Sequence, residues 1–228
     1  MVNFIINLLV IILLAALPAI VWLLFFLKED PNKEPRKMLV LTFVTGMLSS
    51  IPVLFLELSL QKIIVSPLHS MIIFVLGVSI IEEIFKFFAA YLPNNRSKYF
   101  DEPIDAMIYM IVAALGFATV ENFFVVKNSL DFINLTNILD TLNSVALRFI
   151  GATLLHALAS GIVGYYWALD HFKNKKSLFL LGFLLAIAVH SIFNFSVVKF
   201  QSSDIFYPTF FLVAIAFWVL ADFERLKK

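Results

Sequence analysis

The 228-residue chain has no cysteine, and Asp, Glu, Lys and Arg together make up only 14% of it. Without thiols there is no disulfide, no thiolate metal site and no cysteine nucleophile, so any chemistry must come from carboxylate, imidazole, hydroxyl or amide groups. Soluble domains carry about a quarter charged residues. Here 61% of residues are hydrophobic and the net charge is +1, which leaves too little polar surface to face water. Basic residues are scattered rather than gathered in a run, which excludes a nucleic-acid partner. There is no internal repeat of the kind that builds many transporters, no low-complexity segment and no HExxH zinc motif.

What the chain does contain is a succession of apolar stretches near the roughly 20 residues needed to cross a bilayer. These predict an all-α, polytopic membrane bundle of about seven transmembrane helices, forming a single membrane-embedded domain over 1–228. The spans fall at Phe4 to Leu27, Met38 to Leu60, His69 to Leu92, Pro103 to Val126, Asn143 to Leu169, Ser177 to Val198 and Ile205 to Ala221. The first reads as a retained helix rather than a signal peptide, since no Lys or Arg precedes it and Val21 to Leu27 stay apolar. Pro35, Pro67, Pro103 and Pro208 stand near helix starts, where a missing N–H is harmless. Pro52 falls inside the second span and predicts a kink. Twelve of the 17 Lys and Arg fall to one set of loops and three to the other, with Lys86 and Arg148 inside spans. The positive-inside rule then predicts a multi-pass cell-membrane protein with its N-terminus outside and its C-terminus cytoplasmic. Small residues four apart, Gly46 with Ser50, Ala157 with Gly161 and Ser160 with Gly164, favour close helix approach.

Ionisable residues inside the spans carry the functional signal. Each costs about 2.5 to 3.5 kcal/mol at the bilayer centre, and Glu82, Glu83, Lys86 and Glu121 together about 10 to 14 kcal/mol as an upper bound. Such groups face a cavity or a partner. Glu82 and Lys86 are four apart with the acid first, which predicts an ion pair on one helix face and turns Glu83 about 100° away. His190 and Asn194 share a stripe of the sixth span and are spaced to donate two hydrogen bonds to one oxygen. Ser160 lies one turn below His156. Glu121, flanked by Val120 and Phe123, is placed for proton transfer, with Asn122 beside it. Glu57 is expected at the outer interface, Arg148 to snorkel, and Asp105 to be structural. Alternating spans set Glu82, His156 and His190 near mid-membrane and Glu121 and Asn194 nearer the outer face, converging on one cavity open to that side.

Glu82-Glu83-x-x-Lys86, Gly116-Phe117-Ala118-x-x-Glu121-Asn122, His156 and His190-x-x-x-Asn194, each on a different predicted helix, resemble the ordered motifs of the PrsW family of intramembrane proteases. The segments Pro31 to Pro35, with Gly46, Ser49 and Ser50, and Asp101 to Tyr109 are also similar. The family is similar in turn to the CAAX prenyl proteases and their Abi relatives, whose second motif has histidine where this chain has Glu121. The resemblance implies hydrolysis of a peptide bond in a membrane-anchored protein substrate, as in the first cut of an anti-sigma factor. It also implies roles: Glu82 as general base, Glu83 orienting water or shuttling the proton, His156 and Glu121 positioning water or the leaving group. His190 and Asn194 would stabilise the oxyanion, and Lys86 would tune the acid pair.

No cofactor is expected on this reading. A zinc centre on His156, His190 and Glu121 is the metal alternative. A serine mechanism with Ser160 and His190, a proton-coupled transporter and an inactive membrane scaffold are the other rivals. Nothing in the pattern fixes an oligomeric state.

Overall fold

The structure, a computed structural model, describes residues 2–63, 69–129, 135–200 and 206–227. Among these the chain forms eight α-helices and no strand. They are α1 (Val2–Phe26), α2 (Arg36–Ile63), α3 (His69–Asn94), α4 (Pro103–Ser129), α5 (Leu135–Ile150), α6 (Ala152–Lys173), α7 (Phe179–Phe200) and α8 (Phe206–Leu226). Five segments are long and apolar enough to cross a membrane: Ile5–Phe26, Arg36–Lys62, Pro103–Asn128, Thr141–Lys173 and Phe179–Lys199. Helix α3 is as long, but Glu82, Glu83 and Lys86 sit in its middle.

The helix expected over Asn143 to Leu169 is two helices that meet at Gly151. Gly151 leaves helical geometry at φ −100° and ψ −97°, at a residue that weakens helices by about 1 kcal/mol relative to alanine. Hydrogen bonding nevertheless runs through the break, from Gly151 N to Leu147 O and from Leu155 N to Gly151 O, both 2.8 Å. The expected starts at Pro67 and Ile205 lie outside the described residues.

Helix α4 is the axis of the bundle. It packs against every other α-helix except α7, and 89% of its apolar window is buried, against 17% for α1. A helix apolar on all sides belongs in the middle of other helices, whereas α1 turns Leu9, Leu13 and Leu24 outward. Lipid tails are as apolar as leucine, so close packing rather than hydrophobic burial holds such helices together. Small residues supply it. A Cβ on Gly46 would come within 2.0 Å of Ala113 O, and one on Gly116 within 2.1 Å of Phe43 O, so the α2–α4 contact requires glycine on both sides. Gly164 also brings α6 close to α4, where a Cβ would come within 2.6 Å of Met107 Cα. With α2, α3, α5 and α6 all against α4, polar residues from several helices are brought into one interior.

At the start of α4, Glu102 precedes Pro103, which takes the first helical position, and the Asp105 carboxylate reaches back to accept from the backbone N–H of Asp101 (3.0 Å) and Glu102 (2.7 Å). This is the return half of a capping box. Asp105 is thus structural, as its position near the helix start implied.

Candidate active site

Helix α3 supplies the acidic pair and its lysine, all buried. Lys86 Nζ pairs with both glutamates, at 3.6 Å from Glu82 Oε2, the expected partner, and more closely, at 2.5 Å, from Glu83 Oε1. Both offsets lie within reach of one helix face. Lys86 turns toward α6, where His156 Nδ1 is 3.0 Å away, and Glu83 stands on that flank. Glu83 Oε1 also meets His190 Nδ1 of α7 at 2.8 Å, and its Oε2 accepts from the Ser160 hydroxyl at 3.3 Å. Ser160 therefore serves a carboxylate and is not paired with a histidine base.

The two imidazoles come from different helices and stand nearly perpendicular, with centroids 5.3 Å apart. Each has a carboxylate at one nitrogen: Glu121 Oε2 at 2.8 Å from His156 Nε2, and Glu83 Oε1 at His190 Nδ1. A carboxylate only accepts, so these nitrogens carry the hydrogens and the other two keep their lone pairs. Those two, His156 Nδ1 and His190 Nε2, lie 3.5 and 3.7 Å from Glu82 Oε2. Glu82 Oε2 is buried and has no hydrogen-bond partner. Two imidazole nitrogens and an orphaned carboxylate oxygen thus face one another, and Lys86 Nζ, 3.0 Å from His156 Nδ1, is the cation that a metal would displace from that nitrogen.

That arrangement fits a divalent metal. Glu82, His156 and His190 each offer one ligand atom within 4.8 Å of the others. With zinc–ligand bonds of about 2.0–2.2 Å, donors of a tetrahedral site lie roughly 3.4 Å apart, close to the spacing seen here. The carboxylates behind the imidazoles are the usual outer partners that fix ring orientation. The donor set differs from the one expected from sequence: Glu82 takes the place of Glu121, which stands behind His156.

Glu121 is held in turn by Arg148 of α5, whose guanidinium is 3.0 Å from Glu121 Oε2 and also donates to Asn122 Oδ1. Asn122 Nδ2 bonds Ala15 O of α1 (3.2 Å) and Thr153 Oγ1 of α6 (3.1 Å). Arg148 thus turns inward instead of snorkelling, and Asn122 ties three helices together. Glu57 stands beside Glu82 and Glu121 with a buried Oε1 that has no hydrogen-bond partner. An acid among Leu54, Phe55, Leu56 and Leu58 was the available signal. Asn194 is half-buried one turn beyond His190, and among the described residues no hydrogen bond joins it to the cluster. His190 spends Nδ1 on Glu83, while its Nε2 stands 3.7 Å from Glu82 Oε2.

A family model described as PrsW family intramembrane metalloprotease matches residues 34–221. The chain is 27% identical over 217 residues to Protease PrsW of Oceanobacillus iheyensis, covering 92% of each chain. It is 28% identical to Protease PrsW of Geobacillus kaustophilus, covering 89% of this chain and 85% of that one. With Protease PrsW of Clostridioides difficile the identity is 29%, over 80% and 77%. No solved structure matches.

Proposed function

Because the chain belongs to the PrsW family, multi-pass membrane peptidases that act on protein substrates, we propose that Glu82, His156 and His190 form the centre that activates its hydrolytic water. The observation that carries this reading is the convergence of Glu82 Oε2 with two imidazole lone pairs, each imidazole backed by a carboxylate. The substrate is a membrane-anchored protein, of the anti-sigma-factor class implied by the resemblance. The N-terminus lies outside and the C-terminus in the cytoplasm, on the distribution of Lys and Arg.

A divalent ion held by Glu82, His156 and His190 would lower the pKa of a bound water and polarise the scissile carbonyl. The chain's own residues do the rest. Glu83 and Glu121 hold the two rings in one tautomer, and Arg148 fixes Glu121. Lys86 balances the charge of Glu83 and keeps that carboxylate ionised toward His190. Packing of Phe117 against His156 and Lys86 excludes bulk solvent from that side. As C–O forms, the proton lost by water passes to the leaving amine as C–N breaks, a transfer that the resemblance gives to Glu83.

A second, metal-free reading has an observation of its own. Lys86 Nζ, 3.0 Å from His156 Nδ1 and 3.6 Å from Glu82 Oε2, already faces two of the three donors as a fixed cation. Glu82 would then act as the general base. Metal analysis of the purified protein separates the two: about one equivalent of zinc, lost in His156→Ala and His190→Ala, supports the metal centre. Full cleavage of a single-span substrate by protein dialysed free of metal overturns it.

A further inference from the structure

Hydrolysis consumes one water for every peptide bond, and the reacting groups here are buried among apolar helices. We propose that a small cavity between α2 and α4 is the inlet that delivers this water to Glu82, with Glu57 as the residue that holds it. The inference rests on the hydrolytic reading above and adds to it Glu57, a residue outside the family-like motifs.

The cavity measures about 40 Å³ and is lined by Ser50, Val53 and Glu57 of α2 with Phe117 and Glu121 of α4, among others. A water needs about 10–15 Å³ by this measure and two to four polar partners, so there is room for about three. The partners are present. Glu57 Oε1 is buried and unpaired, Glu121 lines the opposite wall, and the Ser50 hydroxyl, which donates to Met47 O at 2.7 Å, is free to accept. Glu57 also reaches Glu82, whose Oε2 is the other orphaned carboxylate oxygen of this region. Buried carboxylate oxygens without a hydrogen-bond partner thus stand both at the cavity, Glu57 Oε1, and at the centre, Glu82 Oε2, and water is a donor that fits them.

Two larger cavities show the contrast. One of about 320 Å³ between α3 and α7 is bordered by Ile72, Leu76 and Phe195, and one of about 400 Å³ between α2 and α3 by Leu48, Phe85 and Leu92. Neither has a carboxylate in its wall, and both suit hydrocarbon. The α2–α4 cavity is the smallest of the three and the one with acids on both sides.

The absence of cysteine allows a direct test with silver ion, a thiol-binding cation small enough to follow water. In protein reconstituted into vesicles in chloride-free buffer, Ser50→Cys should be protected by silver at least tenfold faster than Phe55→Cys. Phe55 lies on the same helix but is 65% exposed on its outer face. Protection is read as the fraction of thiol left for alkylation after denaturation. Glu57→Leu, which keeps volume and removes polarity, should slow protection of Ser50→Cys and lower kcat about tenfold with KM unchanged, and Glu57→Gln should lose less. Equal slow protection at both positions overturns the proposal, as does Glu57→Leu that leaves the Ser50→Cys rate unchanged. The silver assay uses no substrate, so it reads the inlet even in a protein that cleaves nothing; rapid Ser50→Cys protection without any proteolysis sinks the hydrolytic reading alone.

Discussion

The protein gathers acidic side chains in two places, and they are built on opposite principles. At the start of α4, Glu34, Asp101 and Asp105 bring carboxylate oxygens within 4.8 Å of one another, as Glu82, His156 and His190 bring theirs in the bundle interior. By proximity alone both could hold a cation. In the first group the two buried members are already engaged: Asp105 takes two backbone N–H groups and Glu34 accepts from the Tyr109 hydroxyl, while Asp101 is exposed to solvent. In the second an oxygen of Glu82 is buried and unpaired, and imidazoles replace carboxylates as its neighbours. Proximity does not make a site. Unsatisfied acceptors that face one another do, because they leave a place that a metal, a water or a substrate must complete.

The largest effect that would break this comparison is the exchange of their roles. Glu82→Gln should reduce cleavage by about 10³-fold or more, within the range that water activation contributes, with the melting temperature little changed. Asp105→Ala should leave the specific activity of folded protein intact but lower stability by about 1 kcal/mol, since two part-buried N–H groups at the helix start lose their acceptor. If folded Asp105→Ala protein were inactive, or Glu82→Gln cleaved normally, the division into a reactive and a structural cluster would be wrong.

A smaller effect sharpens it. Glu83 touches no candidate metal-ligating atom directly but orients His190 through Nδ1. Glu83→Gln should therefore weaken zinc affinity by about 10–100-fold, the cost typical of an outer partner, without abolishing binding. Titration of the apo-protein with zinc against a competing chelator measures this. An affinity equal to that of the unsubstituted protein would return Glu83 to a packing role.

How far these clusters were legible in the sequence follows from the same distinction. Carboxylates and imidazoles inside apolar runs stand out because each is costly there, so Glu82, Glu83, Lys86, Glu121, His156 and His190 were visible as a set. Their pairing between helices was not, because it depends on how each helix is rotated against its neighbours. Positions i+3 and i+4 are both within reach of one turn, and Lys86 pairs with Glu83 and Glu82 while also meeting His156. Glu57 was not read as part of the set, because its place beside Glu82 and Glu121 depends on how α2 packs against α3 and α4. The break at Gly151 left no periodicity signal, since hydrogen bonds on either side of it persist.

The smallest expected effect concerns the loop that joins α1 to α2. Asp30 and Glu34 lie outside the spans, and burial holds both carboxyls above the ordinary carboxylate range, against the backbone N–H groups and the Tyr109 hydroxyl that pull them down. Asp101, Glu102 and Asp105 surround them, with Lys33 as the nearby cation. A group whose pKa rises on folding binds its proton more tightly in the folded state. Its stabilising contribution is complete below the unfolded value, near 4, and fades as pH rises through the folded value. The detergent-solubilised protein should therefore melt a few degrees lower at about pH 8 than at about pH 5. In the Asp30→Asn, Glu34→Gln double variant this slope should flatten, while in Glu83→Gln it should persist. A slope lost in Glu83→Gln and kept in the double variant would place the pH-sensitive acids in the bundle interior, and the loop cluster would then be no more than a set of satisfied caps.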